Sequence, residues 1–210
     1  MADPMPFNMP LPVSTRGRII EAARQLFWER GFEPTTLHEI ARQAGVHPGS
    51  VYYFFKTKAE IVLAVLDWYF ENLEAILITP LFAREADPLE RIFGLLAGYR
   101  MQLVATGFSR GCPIGSLALE LGATNPRARE KLRANFAGWK AWVGLCVREA
   151  SSRALRDEDV ASAATFVLTV MEGSVMQSLT EGSIEPFDQC IRELRRYFAA
   201  AISRKKESAS

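Results

Sequence analysis

Between Thr35 and Lys58 the chain reads TTLHEIARQAGVHPGSVYYFFKTK, and helix start and stop signals crowd together so closely that two short helices joined by a tight turn are expected there. Thr36 is a good N-cap, and Glu39 three residues later completes a capping box. Leu37, Ile40, Ala41 and Ala44 give the first helix one apolar face. Gly45 ends it, because glycine enters the left-handed cap conformation without steric cost. Val46 fits the corner between the helices. Pro48 suits the first turn of the next helix, where its missing N–H would have lacked a partner anyway. Two helices separated by a turn of three or four residues containing glycine form a helix-turn-helix.

The second helix, about His47 to Phe55, carries the functional signal. Val51 and either Phe55 or Phe54 face inward, which leaves His47, Gly49, Ser50, Tyr52 and Tyr53 outside. A purely solvated face would favour Lys, Glu and Gln. Hydroxyls, an imidazole and a glycine suit close approach to a major groove and its phosphates. Lys56 and Lys58 follow where they can meet a nucleic-acid backbone. Thr57 with Glu60 forms a second capping box, and the N–H groups it opens make a further anion site. The candidate DNA-binding residues are Thr35, Thr36, His47, Pro48, Gly49, Ser50, Tyr52, Tyr53, Lys56, Thr57 and Lys58. His47, Pro48, Gly49 and Ser50 are expected nearest the bases.

From about Thr15 to Leu66, and most densely in GSVYYFFKTKAEIVLAVL, the chain resembles the TetR (tetracycline-repressor) family of bacterial transcription regulators. The resemblance implies that His47 to Phe55 is the recognition helix and that Tyr52, Tyr53 and Lys58 contact phosphates. The family often has a histidine where this chain has Phe54, which removes one expected backbone contact. It also implies a homodimer on operator DNA, joined through the last two long helices as a four-helix bundle.

The remaining sequence reads as all-α. Thr15 to Arg30 carries Ile19, Ala22, Ala23, Leu26 and Phe27 on one face and completes a three-helix N-terminal domain over 15–60, behind a proline-rich arm at 1–14. A larger helical domain is expected over 61–203, with a frayed tail at 204–210. Its helices run from Thr57 to about Pro80, from Pro88, briefly through Leu121, from Pro126, from Asp157 to Leu179, and from Pro186 to Ile202. The last two have apolar residues on more than one side and call for a partner beyond their own core. Val167, Met171, Val175, Ile191, Leu194 and Phe198 are the expected dimer contacts.

Charge is consistent with one end touching phosphate: seven Arg and Lys against four Asp and Glu from Ser14 to Lys58, and 18 against 20 in the rest. The start lacks the basic and apolar regions of a secretory signal, and no 18-residue uninterrupted apolar stretch predicts a membrane span. Cys112, Cys146 and Cys190, three in number and without a CxxC pair, point to reduced thiols in a cytoplasm.

Catalysis has little to work with. Both histidines lie in the helix-turn-helix, so residues 59–210 can build neither a histidine triad nor a histidine metal site. No glycine-rich phosphate loop occurs. No enzyme activity, cofactor or metal is expected. A small-molecule pocket between the helices starting near Pro88, Gly115, Pro126 and Asp157 is more plausible, with Phe93, Tyr99, Phe108, Arg110, Cys112, Phe136, Trp139 and Phe166 as candidate lining. Arg110 and a helix N-terminus beside Cys112 would stabilise a thiolate. The run GFSRGCPIGSLALEL also resembles that of a family branch that responds to electrophiles or small unsaturated acids, with Pro113 in place of the usual aliphatic residue. A buried, inert thiol is the other reading of Cys112. Two functions follow: a ligand-controlled DNA-binding repressor, or a helical protein-interaction module with a degenerate DNA-binding domain.

Overall fold

The computed structural model describes residues 14–151 and 155–207, and among them there are helices and turns but no strand. The expected arm lies outside the described residues up to residue 13, as do residues 208–210 of the expected tail. The described chain divides into two compact units.

The first unit holds residues 14–76 and Cys112–Phe136. Helix α1 (Thr15–Arg30) is capped by the Ser14 hydroxyl, which accepts from Gly17 N. It buries Ile19, Ala23, Leu26 and Phe27, the face set by their three- and four-residue spacing. Helices α2 (Leu37–Gln43), α3 (Pro48–Phe54) and α4 (Lys58–Leu73) follow. Arg24 of α1 is buried against α4: its guanidinium lies 4.9 Å from the Trp68 ring centroid and donates through Nε to Glu21 at 2.8 Å. Pairing and stacking offset the desolvation of this charge. Burial pushes the nearby Tyr69 phenol up to about 12.

This unit is larger than the 15–60 segment, because α7 (Pro113–Leu121) and the start of α8 (Pro126–Ala150) belong to it. Asn135 donates to the Leu66 carbonyl at 3.0 Å, and Lys131 pairs with Asp67. Asn125 caps α8 by accepting from Ala128 N at 3.0 Å.

The expected helix from Thr57 to Pro80 is interrupted. After α4 comes a π-helical turn, Glu74–Ile78, and then α5 (Thr79–Arg84). Pro80 lacks a backbone N–H, and the new segment places it in a first turn, where no partner is needed.

The second unit holds Leu77–Gly111 and the chain from Ala137 onward. Helix α6 (Pro88–Ala105) is capped by Asp87, whose carboxylate accepts from Leu89 N and Glu90 N. Helices α9 (Asp157–Glu181) and α10 (Glu185–Glu207) form an antiparallel pair, the longest packing contact in the unit. Gly182 joins them in the left-handed conformation, and the final helix continues five residues past Ile202. Helix α6 is tied to α10 by Arg100 with Asp188 at 2.8 and 2.9 Å, and by Arg195 with Glu90 at 2.9 Å. Hydrogen bonds from these arginines hold the Asp188 and Glu90 carboxyls below their ordinary values. Helix α9 is long and apolar enough to cross a bilayer by length and composition alone, and 44% of its most apolar window is buried in protein.

Candidate nucleic-acid interface

Helix α2 starts as its sequence dictates. Thr36 Oγ1 accepts from Glu39 N at 3.2 Å, and Glu39 Oε2 accepts from Thr36 N at 2.9 Å, a complete capping box. These bonds hold the Glu39 carboxyl below its ordinary value. Gly45 turns the chain at φ +63°, and Val46 N donates back to the Ala41 carbonyl at 3.0 Å. The corner orients α3 against α2.

Helix α3 separates an inner from an outer face. Val51 and, just after the helix, Phe55 are buried, which decides between the two phenylalanines. Phe54 is exposed and packs edge-on against Tyr53, with ring centroids 4.9 Å apart. Tyr52 and Tyr53 project from the surface, Tyr53 at 76% exposure. His47 is the N-cap: its Nδ1 accepts from Gly49 N at 3.1 Å. With Nδ1 as the acceptor, Nε2–H is the ring's one donor. Gly49 is exposed and Ser50 half-buried, so a base or phosphate can approach the start of this helix.

Three of the expected contact residues have partners within the protein. Thr35 is only 1% exposed, and its hydroxyl donates to the Gly31 carbonyl at 2.8 Å, so its side chain supports the turn. Lys58 Nζ donates to the carbonyls of Phe32 at 2.8 Å and Glu33 at 2.9 Å and lies 4.3 Å from the Phe32 ring centroid. Its charge is already engaged within the protein. Thr57 caps α4 by accepting from Glu60 N at 3.2 Å, but the Glu60 carboxylate turns to Lys56 N at 2.8 Å, so the second capping box is only half formed. Lys56 Nζ in turn donates to the Tyr52 carbonyl at 2.9 Å, closing the end of α3.

Two exposed arginines escaped the sequence reading. Arg16 lies over the Phe55 ring at 5.2 Å, and Arg18 reaches to within 4 Å of the Cβ position of Gly45. Arg16 thus lies at the end of the helix-turn-helix and Arg18 beside its corner. Their signal was the RGR triplet opening α1, whose alternation gives no helical face.

The candidate pocket residues scatter. In the second unit Phe93 is buried edge-on against Phe198 at 6.4 Å, with Arg195 over its ring at 3.8 Å. Tyr99 and Trp139 are buried; Phe108 and Arg110 are half-buried. Phe108 follows Gly107 in the left-handed region at φ +57°, a strained backbone for an aromatic residue. Buried Gln102 donates to the Gly111 carbonyl at 3.0 Å and fixes this loop. Phe166 does not belong to an interior pocket: it is 42% exposed and packs on Tyr197 at 5.0 Å. In the first unit Cys112 is buried and caps α7, its sulfur accepting from Gly115 N at 3.4 Å, while Phe136 is half-buried. Burial raises the Cys146 thiol to about 11, so that cysteine stays protonated at neutral pH.

The expected dimer contacts also need correction. Val167, Met171, Val175, Leu194 and Phe198 are all buried within the single protomer, and only Ile191 is half-exposed. The outer face of α9 and α10 instead shows Phe166, Met176 and Tyr197, beside an open groove of about 470 Å³ lined by Val170, Cys190 and Glu193. Among the described residues, no three His, Cys, Asp or Glu side chains gather as a metal site requires.

Comparison with known proteins agrees with this geometry. Residues 19–65 match the model of the bacterial regulatory proteins of the tetR family, and residues 88–193 match the LmrA/YxaF-like transcriptional regulator C-terminal domain. The transcriptional repressor DhaR of Mycobacterium sp. strain GP1 is 27% identical over 83% of this chain and 87% of its own length. The transcriptional regulator AcuR of Cereibacter sphaeroides is 26% identical over 86% and 83%. A TetR regulatory protein from Rhodobacter sphaeroides superposes with a TM-score of 0.77 at 25% identity, over 87% of this chain and 97% of that one. Members of this group regulate transcription by binding DNA and are not enzymes. With an intact helix-turn-helix joined to a matching regulatory domain, the chain belongs to the TetR family of transcriptional regulators.

Proposed function

We propose that this regulator is a cytoplasmic homodimeric repressor that leaves its operator when a small molecule binds the helical body. The observation that carries the reading is the outer face of α3: a capped helix with a glycine, a serine, an imidazole and two exposed tyrosines above a buried Val51. DhaR, similar along most of the chain, bears the name of a repressor. The intact caps give no support to a degenerate domain that binds protein instead. For the ligand, the supporting observation is Trp142, whose indole N–H is buried without an acceptor, a donor that a bound molecule could satisfy. In the second unit Phe93, Tyr99, Phe108, Arg110 and Trp139 remain the candidate lining, with Arg110 suited to an anionic group; the other two candidates, Cys112 and Phe136, belong to the first unit. A ligand acts here only through tighter binding to the DNA-released state. For the dimer, the exposed Phe166, Met176 and Tyr197 supply apolar surface that a second copy would cover.

The test is binding of the full chain to DNA from upstream of its own gene, measured by anisotropy across a salt series. A two-fold pseudo-palindrome should be selected, with affinity falling steeply as salt rises. Indifference between that DNA and random duplex at matched salt would refute the operator reading. An electrophile that releases wild type but not Cys112→Ser would assign the signal to the thiol; equal release would assign it to a non-covalent pocket.

A further inference from the structure

Between α1 and α2 the backbone turns through Gly31–Pro34, and both sides of this turn are held by charged groups from distant helices. From α7, the Glu120 carboxylate accepts Phe32 N at 3.1 and 2.9 Å through its two oxygens and Glu33 N at 3.0 Å. From α4, Lys58 Nζ takes the carbonyls of the same two residues. Hydrogen bonds to ionised groups are stronger than neutral ones, so the turn is fixed far more firmly than a loop of its length would be. Gly31 adopts φ +89°, and a Cβ there would lie 2.9 Å from Glu120 Oε1. The carboxylate fills the space that any other residue at this position would need. The buried Thr35 hydroxyl closes the turn onto the Gly31 carbonyl, and the next residue, Thr36, is the cap that starts α2.

We infer that Glu120, outside the helix-turn-helix in sequence, is a positioning residue for operator recognition. Its carboxylate sets the Phe32–Glu33 turn and thereby the entry of α2, which carries α3 through the Gly45 corner. The inference rests on the operator-binding reading, so wild-type binding is measured first; its failure would refute that reading and not this one.

The test compares wild type with Glu120→Gln in the full chain. The amide keeps the size but loses the charge and turns an NH2 toward one backbone donor. Operator affinity should fall about tenfold or more, while affinity for random duplex stays within about twofold and the variant remains folded with only a modest drop in melting temperature. The amide proton resonances of Phe32 and Glu33 should move upfield as their charged acceptor is lost. Unchanged operator affinity in a folded variant overturns the inference. So does a parallel loss of operator binding, random-duplex binding and melting temperature, which marks a structural brace only. If Glu120→Gln does not fold, Glu120→Asp retains the charge and withdraws it by one methylene; a folded Asp variant with wild-type operator affinity also overturns the inference.

Discussion

Helices α2 and α3 and helices α9 and α10 are both pairs joined by a glycine-containing turn, but they distribute their surfaces differently. The short pair commits a few residues, Ile40, Ala41 and Val51, to the interior and leaves a polar and aromatic face outside. The long pair is apolar on two sides, with Val167, Met171, Leu194 and Phe198 inside the protomer and Phe166, Met176 and Tyr197 outside. In the first pair polarity separates core from working surface. In the second it does not, because core and outer face are made of the same residue types. The proposed function, DNA contact by the first pair and self-association by the second, would need both designs.

The largest effect should come from charging the inner face of the long pair. Leu194 is 1% exposed and Phe198 3%, so Leu194→Asp or Phe198→Asp places an unpaired ion in the core at a cost of several kcal/mol. Both variants should be insoluble or melt far below wild type by calorimetry; normal melting would mean that this face is not core. Charging the outer face should act differently. Phe166→Asp with Tyr197→Asp should leave the fold intact and shift sedimentation from dimer to monomer, since exposed aromatic anchors of an interface each contribute about 2 kcal/mol or more. A dimeric double variant would move the interface elsewhere.

On the short pair, Tyr53→Ala removes a 76% exposed side chain and should weaken binding to every DNA sequence alike without changing the melting temperature. A loss confined to particular sequences would make Tyr53 a base reader instead. Thr36→Ala breaks the capping box and should cost about 1 kcal/mol in denaturant unfolding, measurable also as slower operator association.

The smallest effect is electrostatic. Arg100 holds the Asp188 carboxyl, and Arg195 the Glu90 carboxyl, below their ordinary values. A depressed folded-state value adds stability that is present above the unfolded value, about 4 for these carboxyls, and is lost as pH falls through the folded one. Wild type should therefore lose melting temperature below about pH 4 more steeply than Arg100→Gln. The pairs are largely solvent-exposed, so the difference should be small. Equal slopes would show that these bonds do not persist in solution.

The helices themselves were legible where the signals are local. Thr36 and Thr57 act on backbone N–H groups three residues away, so such caps can be read one position at a time. Much of the outer face of α3 was visible for the same reason: Val51 fixes the inward side and the helix period places Tyr52 and Tyr53 outside, while the choice of Phe55 over Phe54 needed the packing. The break after Leu73 was not visible, because a π turn shifts the hydrogen-bond register without requiring any particular residue. The internal partners of Thr35 and Lys58 were not visible because a hydroxyl or an ammonium suits a phosphate and a backbone carbonyl equally well. Which one it meets depends on whether a carbonyl stands nearby, and the Gly31 and Phe32 carbonyls do.

The sequence by itself determined the starts of α2 and α4, the corner at Gly45, and the outward placing of Tyr52 and Tyr53 on α3, since each depends on contacts within one or two turns. Only the tertiary structure decided that Thr35 is buried, that Lys58 serves the turn, that Leu194 and Phe198 face inward while Tyr197 faces out, and that Glu120 holds a turn 88 residues before it. Those assignments depend on which helix lies against which. Hydrophobic periodicity shows that a helix has an apolar side, but it carries no information about the partner that will cover it.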